Sequence, residues 1–241
     1  MKAATFLATL SVFLAPLTAI AAEPAPYKLT AGYDGTLLVK VLGIELEQSV
    51  SPQGYTAGAR MKSYGVLSLF KRLDVQASTR GRLEDGEPAP GRFSHINRDR
   101  VFNRQVEVRW TGGEVAASAM PAYASLGSPA PTRAQKLAAL DPLTHMVRLA
   151  LVQGARPCGG ATTLFDGRQL YAVDLSAPQG RAATAREKAL GLADPVRCKL
   201  VFSEVAGFDA KPVGKRNQGL ANPLTVDFAR VGAGGPWILV Q

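Results

Sequence analysis

The run from Asp141 to Leu175, DPLTHMVRLALVQGARPCGGATTLFDGRQLYAVDL, does most to constrain the fold of this chain. Asp141 offers a side-chain oxygen that caps a helix, and Pro142 suits the first helical position, where its missing N–H costs nothing. Leu143, Met146, Val147, Ala150 and Leu151 then recur at i, i+3, i+4, i+7 and i+8, one apolar stripe at helical period. Gly154 and Pro157 end the helix. So short a helix is marginal alone and must bury its stripe against another element. After Cys158, Thr162–Phe165 and Arg168–Leu175 read as two strands. The Asp166-Gly167 pair between them favours the type I′ turn of a two-residue hairpin.

The partner surface is a sheet. Gly43–Val50 alternates, with Ile44 and Leu46 facing one way and Glu45 and Glu47 the other. The two carboxylates therefore read as the wet face of a strand rather than an acid–base pair. Tyr55–Lys62, Leu73–Leu83, Gly91–Asn97, Arg100–Trp110 and Val115–Met120 continue the strand pattern, with a hairpin around Arg98-Asp99. Glu84–Gly91 reads as a polar loop, and Ser63–Phe70 as a helical turn or a curved strand. Pro121–Pro131 reads as a lid or as a plain connection into the helix. Ala177–Asp194 is a polar, helix-permissive excursion, followed by strands at Val196–Val205, Leu224–Val231 and Trp237–Val240. This is about a dozen short strands, at the spacing of antiparallel barrels. The expected fold is mainly β: a curled antiparallel sheet or open β-barrel packed around one amphipathic α-helix. At 241 residues with 46% apolar and 20% charged residues, the chain can fill such a core and is not of disordered composition.

The N-terminus reads as a secretory leader. Lys2 precedes an apolar centre from Phe6 to Leu14, and Ala19-Ile20-Ala21 is a small-residue cleavage signal. The expectation is a signal peptide over residues 1–21 and one exported, periplasmic, β-rich domain over 22–241. No cysteine follows the cleavage site to take a lipid, and no later segment is long and apolar enough to span a bilayer. Cys158 and Cys198, 40 residues apart, are the only cysteines, and an even count in an exported chain argues for a disulfide. A redox or metal pair would need a C-x-x-C or more than the two histidines present, His95 and His145.

The formal net charge is +9 for the whole chain and +8 once the leader, whose one charge is Lys2, is removed. Such a balance usually points to nucleic acid. Export removes that partner and leaves anionic lipid headgroups, cell-wall polymers or an envelope protein. Arginines are densest from Arg92 to Arg109, where Arg98, Arg100 and Arg104 are candidate anion contacts. The plainer reading places these charges on the outer face of a sheet.

Nothing in the chain carries the pattern of a reaction. G-x-S-x-G, Ser-x-x-Lys with its partner motifs, the P-loop and the dinucleotide fingerprint are all missing. The two histidines lie on different elements and make no metal set. His145 sits off the apolar stripe and is expected to be exposed or hydrogen-bonded. No cofactor, metal or catalytic residue is therefore expected, and the protein reads as a non-enzyme. Shape is the remaining resource, because a curled sheet has an inner surface larger than one helix face. Tyr55, Phe102, Trp110, Phe165 and Tyr171, with Leu143, Met146 and Val147, either line an apolar groove for a lipid or lipoprotein or fill the core themselves.

The order of these features resembles the bacterial envelope family called domain of unknown function 3108. The likeness is carried by Tyr33-Asp34-Gly35, YGVLSLF, Asp141-Pro142-Leu143, Cys158, Leu164-Phe165-Asp166-Gly167-Arg168 with Tyr171, Cys198 and Gly207-Phe208. It implies export in a Gram-negative bacterium and no assigned reaction. It also implies a curled sheet with an internal helix, similar to periplasmic lipoprotein carriers and related envelope-integrity proteins. The family brings no catalytic residues, and its disulfide fits the spacing here.

Overall fold

The structure, a computed structural model, describes residues 25–36, 40–65, 68, 73–98, 103–152, 157–209 and 223–240. The leader over 1–21, Arg100, Phe102, Gly154 and half of Ser63–Phe70 lie outside the described residues. The chain is mainly β, as expected: two curled antiparallel sheets, the larger a half-barrel, enclose one helix.

The half-barrel is a seven-stranded meander of β1 (Tyr27–Thr36), β2 (Lys40–Ser51), β3 (Gly54–Ser63), β4 (Asp74–Glu84), β5 (Glu87–Arg98), β6 (Asn103–Thr111) and β7 (Glu114–Met120), each paired with its sequence neighbour. Two helices follow, α1 (Arg133–Leu137) and α2 (Pro142–Leu151). The second sheet runs β12 (Trp237–Leu239), β11 (Leu224–Val231), β10 (Leu192–Ala206), β9 (Leu170–Gly180), β8 (Gly160–Phe165), with α3 (Ala185–Ala189) between β9 and β10. The supposed excursion over Ala177–Asp194 is thus the end of β9, one capped helical turn and the start of β10.

The turn chemistry corrects two expectations. The two-residue Asp-Gly turn lies at Asp85-Gly86, where φ is +53° and +82° and Glu84 pairs with Glu87. The stretch read as a loop over Glu84–Gly91 is therefore mostly strand: Pro88 and Pro90 pair with β4 beyond the point where β6 joins β5, so their missing N–H groups leave no ladder bond unmade, and a bulge follows at Gly91. At Asp166-Gly167 the connection is longer, because the Asp166 carboxylate accepts from the N–H groups of Arg168 (2.9 Å) and Gln169 (2.7 Å) and β9 begins only at Leu170. Gly167 has a further reason to be glycine. Its φ is +105°, and a Cβ there would stand 2.3 Å from Val106 Cγ1, so the hairpin tip presses directly on the inner face of the half-barrel.

Helix α2 lies between the sheets and divides the interior in two. Leu143 and Val147 pack with Tyr55, Phe93, Val106, Val108 and Phe165 on the half-barrel side. Leu149 and Val152 pack with Leu175, Val196, Phe228 and Trp237 on the other. The Cys158–Cys198 disulfide joins the segment after α2 to the middle of β10, with Cα atoms 5.6 Å apart and Cys198 fully buried.

The N-terminus of α2 is fastened to the half-barrel by a buried polar cluster. Asp141 Oδ1 accepts from the N–H groups of Leu143 (3.0 Å) and Thr144 (2.9 Å). Its Oδ2 accepts from the hydroxyls of Thr144 (2.5 Å) and, on β4, Thr79 (3.0 Å). Tyr55 Oη on β3 lies 2.6 Å from Thr144 Oγ1. Burial raises the Asp141 pKa, and these hydrogen bonds to the carboxylate oppose that rise.

Pro121–Pro131 is a pinned strap rather than a free lid. Ser128 N–H donates to the Phe208 carbonyl (3.0 Å), Gly207 N–H to the Pro129 carbonyl (2.8 Å), and Arg168 Nε to the Ser125 carbonyl (3.0 Å). The guanidinium groups of Arg104 and Arg168 lie 4.2 and 5.2 Å from the Tyr123 ring centre.

Candidate functional site

Of the described residues expected to line an apolar groove, Tyr55, Leu143, Met146, Val147 and Phe165 sit where α2 meets the sheets. Tyr55, Leu143, Val147 and Phe165 are buried in the core, and Trp110 packs against it with its indole N–H turned to the Lys136 carbonyl. Tyr171 stacks at 5.2 Å on Phe202 of the neighbouring strand. Met146 and Leu149 reach the seam between β1–β2 and β11–β12, where Leu29, Tyr33, Trp237 and Leu239 leave a cavity of only about 10 Å³. A single water needs about that much, so the seam is closed by its own side chains.

His145 departs from expectation. It is buried rather than exposed, and neither ring nitrogen has a hydrogen-bond partner among the described residues. The sheets flank α2 on both sides, so a position off the apolar stripe still faces protein. Burial lowers its pKa to about 4, and Arg148 adds a little. A folded pKa below the unfolded value near 6.5 means that the unfolded chain takes up a proton which the folded chain refuses. Stability is then expected to fall as pH drops from about 6.5 to about 4, by roughly 3 kcal/mol in total from this group. Burial lowers the pKa of His95 too, adding in the same direction. Denaturant midpoints at pH 7, 5.5 and 4.5 check this. His145→Leu is expected to flatten the slope, and an equally steep slope in that variant would remove the assignment.

The outer face of the half-barrel is the built feature. Strand register sets Arg80 on β4 opposite Arg92 on β5, and Arg92 opposite Arg109 on β6. Continuing the same row, Thr56, Ser49 and Lys28 bring the line to β1. Like charges directly opposite one another destabilise a sheet, so three arginines in register oppose folding locally. Glu107 relieves part of this: its carboxylate accepts from Arg92 at 2.5 Å and pairs with Arg109 Nε. The Arg92 hydrogen bond, with help from Arg109, holds its pKa below the usual range. Arg80 is exposed and has no carboxylate partner among the described residues.

One step along the strands lies a parallel row of small side chains, Gly58, Ser78 and Ser94, bracketed by Glu47 and Glu107. Ser78 and Ser94 hydroxyls lie 3.1 Å apart. These residues floor an open depression of about 740 Å³ with Arg80 and Arg92 on its rim. A second depression, of about 730 Å³, shares Arg80 and Arg92 and reaches Arg109.

The structure separates the arginines singled out from sequence. Arg98 lies on the outer face and donates to Gln76 Oε1 at 3.0 Å. Arg104 points to the opposite face, donates to the Pro121 carbonyl at 2.9 Å and stacks on Tyr123. Arg80 escaped sequence reading altogether. Its signal was the hairpin register, which aligns it with Arg92 only once the bulge at Gly91 is counted.

Comparison with known proteins adds a likeness of fold. No protein-family model matches the chain, and no curated protein matches it. Among solved structures, the chain is similar to a beta-barrel-like protein of domain of unknown function 1849 from Brucella abortus. The two share 14% identity over 91% of this chain and 98% of that one, with a TM-score of 0.45. Among the described residues no helix is long and apolar enough to cross a membrane, and no cluster of metal-ligating side chains forms.

Proposed function

We propose that this is a non-enzymatic, exported periplasmic protein that holds an anionic component of the cell envelope on the outer face of its half-barrel. The Arg80–Arg92–Arg109 register carries the reading. Glu107 offsets one of these three like charges and Arg80 has no carboxylate partner among the described residues, so an anion that neutralises the remainder stabilises the sheet. Guanidinium forks match carboxylate and phosphate geometry. Binding of a lipid or lipoprotein in an apolar groove, the alternative, finds the seam at Met146 and Leu149 closed among the described residues. Kinship with domain of unknown function 3108 belongs to the same proposal and rests on the residues quoted for it above.

The test is titration calorimetry of the mature protein with poly-L-glutamate, at low and high salt. Serine at Arg80, Arg92 and Arg109 together is expected to weaken binding about tenfold or more and to flatten its salt dependence. Serine at Arg98 and Arg104 is expected to change binding little. A triple variant that binds like the parent would overturn the proposal.

A further inference from the structure

Gly58 is a glycine that the fold does not use. It sits mid-strand in β3, in unbroken register with β2 and β4. Its φ lies outside the left-handed region, and a Cβ would meet nothing closer than the Ala77 carbonyl at 3.9 Å. Mid-strand glycine weakens a sheet and often marks a place where a ligand or another backbone comes close. Here the neighbouring backbones are ordinarily spaced, so the close approach is left to something outside the protein. The position is the floor of the outer depression, beside Ser78 and Ser94, one step from the arginine row.

From this arrangement we infer that the depression takes a short stretch of a linear acidic polysaccharide, a chain of carboxylate-bearing sugars lying across β3, β4 and β5. The inference rests on the anion-binding reading above and names its ligand. Acid groups turn to Arg80 and Arg92, with Arg109 about 10 Å from Arg80 at ordinary strand spacing. The sugar backbone crosses Gly58, and its hydroxyls exchange hydrogen bonds with Ser78 and Ser94. Glu47 and Glu107 end the floor on either side and limit the bound stretch, although Glu107 is already neutralised by its two arginines. The face of a sheet favours such a ligand over an acidic peptide. A sheet face presents no free N–H or C=O for strand addition, so a peptide backbone would gain nothing there. Sugar hydroxyls both donate and accept, and match a floor of serines. Unlike a membrane surface, a polysaccharide chain is narrow enough to descend between the rim arginines to a glycine.

The experiment compares three probes by titration with the mature protein: a uronate oligosaccharide, poly-L-glutamate of equal charge, and phosphatidylglycerol vesicles. The uronate is expected to bind about tenfold tighter than poly-L-glutamate, a difference beyond charge alone. Gly58→Val adds bulk to the floor at a position where a Cβ meets nothing closer than 3.9 Å. It is expected to keep the unfolding midpoint, abolish the uronate preference and leave poly-L-glutamate binding unchanged. Ser78→Ala with Ser94→Ala is the second variant, and is expected to reduce uronate binding selectively. If uronate and poly-L-glutamate bind equally and Gly58→Val changes neither, the polysaccharide inference falls while the anion-binding reading stands. If only vesicles bind, the ligand is a lipid surface and the inference is overturned. If no probe binds, both fall.

Discussion

Asp141→Ala is expected to destabilise the protein by about 4 kcal/mol, a loss few single side chains can produce. Loss of an N-cap alone costs about 1 kcal/mol, and each buried donor left without an acceptor adds about 1–3 kcal/mol. Here the N–H groups of Leu143 and Thr144 and the hydroxyls of Thr79 and Thr144 all give to one fully buried carboxylate. Removing a buried acid also relieves its desolvation, which keeps the net below the sum of those costs. The damage should spread beyond the helix, because the cluster holds α2 against β3 and β4 through Tyr55 and Thr79. Asp141→Asn keeps an acceptor for the backbone N–H groups and should lose roughly half as much. Denaturant unfolding at pH 7 measures both. A loss under about 1 kcal/mol for the alanine variant would mean that the cluster does not anchor the helix.

Serine at both Cys158 and Cys198 is the second large effect. The bridge closes a 40-residue span containing β8, β9 and α3. Chain entropy puts such a closure at roughly 4 kcal/mol. For a chain of this size that is a midpoint lower by roughly 10 °C. The bridge also holds the segment after α2 against β10, where Cys198 belongs to the smaller core with Leu175, Val196, Phe228 and Trp237. The parent in reductant should approach the double variant in thermal unfolding followed by circular dichroism. Coincident midpoints for oxidised parent and variant would contradict a stabilising bridge.

The helix was legible in the sequence because its signals are local. An N-cap, a proline at the first position and an apolar stripe all act within a few turns of chain, and α2 begins where they place it. Alternation likewise marked strands such as β2 and β6, since side chains of a strand take opposite faces whatever the partner. Proline misled the reading at Pro88 and Pro90, because only β4 pairs with that end of β5 and the missing N–H groups break no ladder. His145 misled it too, since periodicity counts one face of a helix and cannot register a second sheet closing over the other.

The candidate site was hardly legible at all. Arg92 and Arg109 were noticed as part of a dense run, yet their partner Arg80 lies on another strand, and Arg104 in the same run turns to the opposite face. By itself the sequence determined the helix, the strand-rich class and a cysteine pair suited to bridging, because each follows from nearest-neighbour geometry or from counting. Only the tertiary structure decided which arginines share a face, that Gly58 floors a depression, and that the seam along α2 is closed. Those depend on register between strands, and register is set by bulges, turns and packing across the whole sheet, where a shift of one residue moves every side chain to the other side.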